Sequence, residues 1–171
     1  MEKSFTQLIS QHQDFPKKGI LFRDVLPILQ KPKVFSELID QMSSSKMCRD
    51  SDAIVAIDAR GFIFGTAIAI KLSKPIVIAR KPGKLPGDLL SQSYELEYGK
   101  NSLSIQIDSI KDYQSFLIVD DLLATGGTAK CTADILNKAG KNITGLTVVV
   151  ELCALDGKSN LSFPINSIIK Y

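Results

Sequence analysis

Two adjacent carboxylates, Asp120 and Asp121, follow the apolar run Phe116-Leu117-Ile118-Val119 and precede Leu122-Leu123-Ala124-Thr125-Gly126-Gly127-Thr128. Paired carboxylates accept hydrogen bonds, so they suit a ligand that offers two neighbouring hydroxyl donors. Gly126 and Gly127 allow positive φ angles and close backbone approach, while Thr125 and Thr128 add hydroxyl donors. A helix opening here would leave free amides at its N-terminus, a favourable setting for a phosphate. A capped strand-to-helix turn would use the same residue types, so the neighbouring segments carry weight. In a nucleoside triphosphate loop a Lys would follow the last Gly, where Thr128 stands, and the dinucleotide pattern G-x-G-x-x-G does not occur.

Four other segments hold chemistry-bearing residues. Asp58-Ala59-Arg60-Gly61 closes a second apolar run, and its Arg suits bidentate contact with a diphosphate. Arg80-Lys81-Pro82-Gly83-Lys84-Leu85-Pro86-Gly87 sets three cations among Pro and Gly, in a stretch too long for a hairpin turn, as a mobile lid requires, and the lid is expected to span residues 81–93. Phe15-Pro16-Lys17-Lys18-Gly19-Ile20-Leu21-Phe22-Arg23-Asp24 places aromatics beside apolar and basic residues. Tyr94-Glu95-Leu96-Glu97-Tyr98-Gly99 alternates as a strand does. His12, the single histidine, lies outside these segments and reads as a surface residue, so catalysis by histidine is not expected.

The elements that must position these residues follow from periodicity. Ala53–Ile57 is a continuous apolar run, as expected of a strand buried on both faces of a parallel sheet. Pro75–Ala79, Phe116–Val119 and Leu146–Val150 read as further strands. The stretch Gly61–Ile70 reads as a buried helix, Pro32 begins a helix whose apolar residues are Val34, Phe35, Leu38, Ile39 and Met42, and Gly127–Ala139 is a helix stopped by Gly140. Phe5, Leu8 and Ile9 suggest a short amphipathic helix, which the turn residues Asp14–Gly19 end. Alternating strands and helices imply a doubly wound α/β fold, a mostly parallel sheet flanked by helices, in one domain spanning residues 1–171. Ligands of such folds bind in loops at the carboxyl ends of strands, where the acidic and glycine-rich segments lie.

Composition narrows the function classes. A net charge of +3 is too mild to imply nucleic acid. Three cysteines without a CxxC pair argue for reduced thiols in a cytoplasmic protein and against a disulfide framework or zinc site. Met1-Glu2-Lys3-Ser4 lacks the order of a signal peptide, and Gly61–Ile70 is about half of the ~20 residues a membrane-spanning helix needs, so no membrane is expected.

Taken whole, residues 116–128 resemble the phosphoribosyl pyrophosphate motif of type I phosphoribosyltransferases: four apolar residues, two acids, two apolar residues, then Ala-Thr-Gly-Gly-Thr. The resemblance implies that Asp120 and Asp121 hold ribose hydroxyls and that Ala124, Thr125, Gly126, Gly127 and Thr128 wrap the 5-phosphate. The other segments are similar to those of the adenine-specific members, over about Asp14 to Gly157. On that likeness residues 1–30 contribute a base-binding hood, Phe22 stacks on the purine, and the backbone of Leu21 and Arg23 reads its edge. Asp58, Ala59 and Arg60 bind the diphosphate, and Arg80, Lys81 and Lys84 belong to a flexible lid. Glu97 is the carboxylate near the base, and with Arg60 and Arg80 it forms the expected catalytic set. Val150–Lys158 also resembles the family's tail. The implied reaction joins adenine to phosphoribosyl pyrophosphate, giving AMP and pyrophosphate, with Mg²⁺ held mainly by substrate oxygens and the enzyme a homodimer. The alternatives are an enzyme for hypoxanthine, guanine, xanthine or orotate, or a non-enzymatic sensor of phosphoribosyl pyrophosphate.

Overall fold

The computed structural model describes residues 5–96 and 99–171. The chain begins with a helical turn at Phe5–Thr6, where Phe5 and Ile9 are buried, and then forms a hairpin. Strands β1 (Ser10–Gln13) and β2 (Leu21–Asp24) pair antiparallel around the Asp14–Gly19 turn, and a 3₁₀ segment, Leu26–Gln30, follows. Helix α1 (Pro32–Ser43) starts with Pro in its first turn, where a missing N–H costs nothing, and buries Leu38, Ile39 and Met42. A short helix α2 (Lys46–Asp50) leads into the sheet.

The sheet has five parallel strands in the order β4 (Ile76–Ala79), β3 (Ala53–Ile57), β7 (Ser115–Leu123), β8 (Asn142–Glu151), β9 (Ile165–Lys170). All five residues of β3 are buried, which is why an unbroken apolar run is stable there. Side chains alternate between two cores. Ile54, Leu117, Val119 and Val149 face α1, α2 and α3 (Gly61–Leu72); Val55, Ile57, Phe116 and Ile118 face α5 (Gly127–Lys138) and residues of the second hairpin. That hairpin, β5 (Leu89–Leu96) and β6 (Gly99–Gln106), is antiparallel and leads into the single helical turn α4 (Ile107–Ile110).

The sheet is flanked by helices as expected, and Leu103 and Ile105 of β6 share the second face with α5. Two expectations change. Residues 89–93 of the expected lid are paired strand, so the irregular connection reduces to Lys81–Asp88. Helix α3 is only half-buried: Phe64 and Ile68 are inside, while Ile63 is 37% and Ile70 76% exposed. No helix among the described residues is long and apolar enough to cross a membrane.

Sheet order sets the site. From β3 the chain crosses to β4 on one side, and β7 then lies against the other side of β3. The carboxyl ends of β3 and β7 therefore flank the topological switch point, where an open α/β sheet leaves a crevice. Asp58-Ala59-Arg60 follows β3, and Asp120–Thr128 ends β7 and opens α5.

Candidate active site

A cavity of about 400 Å³ occupies that crevice. Asp58, Ala59 and Arg60 form one wall, Asp120, Asp121 and the turn Ala124–Thr128 form another, and Lys81 reaches in from the connection after β4. Gly61 lets the two walls approach, because a Cβ there would lie 2.9 Å from the Val119 carbonyl oxygen and 3.0 Å from Asp120 Oδ1. The Asp58–Ala59 peptide is cis. Of the two glycines in the turn, Gly126 takes the left-handed backbone, with φ 82°, as the residue before α5, and Gly127 is the first residue of the helix. Strand β7 runs through both acids, pairing with β8 as far as Leu123, so backbone hydrogen bonding fixes Asp120 and Asp121.

The electrostatics mark the two acids as unusual. Asp121 is 5% exposed, and its Oδ2 lies 2.8 Å from Arg60 Nε. The ion pair lacks hydrogen-bond alignment, so this buried oxygen has no hydrogen-bond partner among the described residues. Asp120 Oδ1 accepts a hydrogen bond from the Asp121 amide at 2.8 Å. Burial, reinforced by the neighbouring Asp121 charge, pushes the Asp120 carboxyl well above the usual carboxylate range. Burial also raises Asp121, and the Arg60 guanidinium offsets part of that rise. A buried acid beside a half-buried one is expensive unless a ligand supplies donors.

The β1–β2 hairpin meets this cavity through Arg60, whose Cζ lies 4.9 Å from the centre of the Phe22 ring, a cation–π distance. Phe15 packs edge-on against Phe22 with centroids 5.1 Å apart. Leu21, Phe22 and Arg23 all belong to β2, and a second cavity of about 440 Å³ lies between Phe22, Phe15, His12 and Asp24. His12 is exposed, as expected, but it is not remote: it stands directly opposite Phe22 in the hairpin.

The basic residues divide. Arg80 Nε binds Asp58 Oδ2 at 3.2 Å, and its guanidinium lies 5.7 Å from the Phe62 ring, so its charge is committed beside the cavity wall. Lys84 is exposed on the Lys81–Asp88 connection and is not part of the lining. Glu97 lies outside the described residues. Asn101 and Leu103 of β6 and Leu146 and Val148 of β8 also line the cavity. No motif announced them, because they arrive by pairing of distant segments.

Comparison with known proteins agrees with this geometry. The phosphoribosyl transferase domain family matches residues 27–165. Adenine phosphoribosyltransferase of Prochlorococcus marinus (strain MIT 9211) is 64% identical over 167 residues, covering 98% of this chain and 97% of the relative. The crystal structure of adenine phosphoribosyltransferase from Thermoanaerobacter pseudethanolicus superposes with a TM-score of 0.96 at 41% identity, covering 100% of both chains. That of the Saccharomyces cerevisiae enzyme, complexed with an imino-altritol bisphosphate and adenine, gives 0.92 at 35% identity over 98% of this chain and 97% of that one. The chain therefore belongs to the phosphoribosyl transferase domain family, within its adenine phosphoribosyltransferase branch.

Proposed function

We propose that this enzyme transfers the 5-phosphoribosyl group of phosphoribosyl pyrophosphate to adenine, releasing pyrophosphate and AMP, with each wall of the crevice holding one part of the donor. Asp120 and Asp121 accept hydrogen bonds from the ribose hydroxyls. The amides and hydroxyls of Ala124–Thr128 wrap the 5-phosphate. Arg60 and the Asp58–Ala59 backbone take the diphosphate, joined by Arg80, Lys81 and Lys84. Phe22 gives the purine a stacking face, and the backbone of Leu21 and Arg23 reads its edge. One observation carries this reading: three segments far apart in sequence meet at Arg60, which touches Asp121 on one side and Phe22 on the other.

In the reaction the bond from the anomeric carbon to the diphosphate oxygen breaks, and a purine ring nitrogen bonds to that carbon. The sugar gains oxocarbenium character while the leaving group gains negative charge. Cations fixed on the diphosphate side stabilise the transition state more than the ground state. The purine nitrogen sheds its proton as it bonds, and Glu97 is the carboxylate proposed to accept it. No group of three His, Cys, Asp or Glu residues among the described residues is placed to hold a metal, so Mg²⁺ would be held mainly by substrate oxygens in the cavity that Asp58, Asp120 and Asp121 line. When bound, the ion neutralises diphosphate charge.

The same reading makes the enzyme a cytoplasmic homodimer. Helix α3 leaves Ile63 and Ile70 exposed, and the edge strand β4 leaves Ile76 38% exposed, an apolar face suited to a second copy.

Labelled adenine with phosphoribosyl pyrophosphate and Mg²⁺ should yield AMP, and hypoxanthine should react with a kcat/KM lower by about 10⁴, since a backbone acceptor that receives the adenine amino group opposes a carbonyl. Comparable rates would favour a hypoxanthine, guanine or xanthine enzyme. No product from any base would favour a sensor.

A further inference from the structure

The segment after β8, Leu152–Asn160, has no role in the chemistry described above, yet it follows the Ala124–Thr128 turn contact by contact. The Leu152 amide donates to the Leu123 carbonyl at 2.9 Å. Asn160 Nδ2 donates to the Thr125 carbonyl at 2.9 Å. Between them Asp156 adopts a left-handed φ of 46°, which brings Gly157 against the turn. A Cβ on Gly157 would run into the Ala124 carbonyl oxygen and lie 2.8 Å from Gly126 N. A Cβ on Gly126 would lie 2.5 Å from the Gly157 carbonyl oxygen. These are backbone atoms, which cannot swing aside as the end of a side chain can. Neither Gly157 nor Asn160 lines the cavity.

The consequence follows from peptide geometry. In a trans peptide unit the C=O and the N–H point in opposite directions. A carbonyl held on the outer side of the turn therefore aims the amide of the same unit at the cavity. Leu123 C=O directs the Ala124 amide in this way, and Thr125 C=O directs the Gly126 amide. We infer that Asn160 is a positioning residue that holds the Gly126 amide toward the 5-phosphate, with Gly157 as the residue whose missing side chain lets this segment lie against the turn, an inference that rests on the phosphate role proposed for this turn. Sequence places the two residues more than a helix and a strand away from the turn, but the fold makes them its outer support.

Asn160→Ala is the leading test, because Asn160 is exposed and its truncation leaves the core untouched. Titration calorimetry should show ribose 5-phosphate binding weakened about tenfold, with pyrophosphate affinity unchanged. The KM for phosphoribosyl pyrophosphate should rise by a similar factor while kcat and the KM for adenine hold. Asn160→Asp, which sets a second acceptor against the Thr125 carbonyl, should weaken ribose 5-phosphate further. Gly157→Ala should abolish ribose 5-phosphate binding, and if that variant does not fold the two Asn160 variants decide alone. Unchanged ribose 5-phosphate affinity in both Asn160 variants would overturn the inference, as would equal weakening of ribose 5-phosphate and pyrophosphate. A wild-type enzyme without affinity for ribose 5-phosphate would remove the phosphate role of the turn, and this inference with it.

Discussion

Asp120 and Asp121, the acids proposed to bind the ribose, are costly to the fold when ionised. Both carboxyls are raised by burial, so the folded chain holds their protons more tightly than the unfolded chain. Their contribution to stability is fully present below the ordinary Asp value of about 3.9 and is lost as pH rises through the raised folded values. Ionising the two carboxyls side by side in this setting is therefore unfavourable. Asp120→Asn should raise Tm near pH 7 by roughly 2–4 °C, the shift expected for about 1 kcal/mol in a chain of this size, and the gain should fade toward pH 4. The same substitution should lower kcat/KM for phosphoribosyl pyrophosphate by roughly 10- to 100-fold, because a charge-assisted hydrogen bond is lost. Scanning calorimetry at the two pH values, beside steady-state kinetics, tests both halves. A lower Tm at neutral pH would show that Asp120 is a stabilising member of the fold.

Among the elements, the β1–β2 hairpin should act chiefly on the purine, reaching the diphosphate only through Arg60. Phe22 presents its ring from β2, while the turn that opens α5 is built elsewhere. Phe22→Ala should raise the KM for adenine by roughly 10- to 100-fold, the worth of base–aromatic stacking, and leave the KM for phosphoribosyl pyrophosphate nearly unchanged. Initial rates with each substrate varied in turn separate the two, and equal changes in both would place Phe22 in general packing. This hairpin also marks the limit of what the sequence makes legible. The parallel strands at 53–57 and 116–119 stand out because burial on both faces demands an unbroken apolar run. Ser10–Gln13 and residues 89–93 are polar or mixed and become strands through their antiparallel partners, whereas the alternation from Tyr94 onward already reads as strand. β7 outlasts its apolar run because pairing with β8 continues through the acids. The site divides along the same line. Asp120–Thr128 and Asp58–Arg60 are contiguous and therefore visible in sequence, whereas Asn101 enters the cavity through a hairpin register that no local pattern encodes.

At the scale of the whole molecule, α3 presents a conflict between composition and surroundings. Its sequence is apolar on every side, but only one side meets the sheet, so Ile63 and Ile70 face outward near the open edge at β4. An edge strand beside an apolar helix face is a surface that a second chain can cover. Sedimentation at micromolar concentration should give the mass of a dimer, and Ile70→Lys with Ile76→Lys should shift it toward monomer. A monomeric wild-type enzyme would contradict the proposed assembly.

Arg60 is engaged twice, with Nε on Asp121 and its guanidinium over Phe22. One side chain thus occupies both an acid proposed to bind the ribose and the face proposed for the purine. On the proposed reading the diphosphate draws Arg60 away and frees both at once. Occupancy at the two ends of the crevice is then linked: a diphosphate ligand tightens adenine binding, and adenine tightens diphosphate binding by the same factor. Titration of adenine should give a Kd roughly 5- to 100-fold lower with saturating pyrophosphate than without it. Arg60→Ala should bind adenine equally well in both conditions, whereas equal values in the wild type would show that Arg60 does not obstruct Phe22. Turnover then acquires a preferred sequence of arrivals, donor before base, enforced by a single guanidinium.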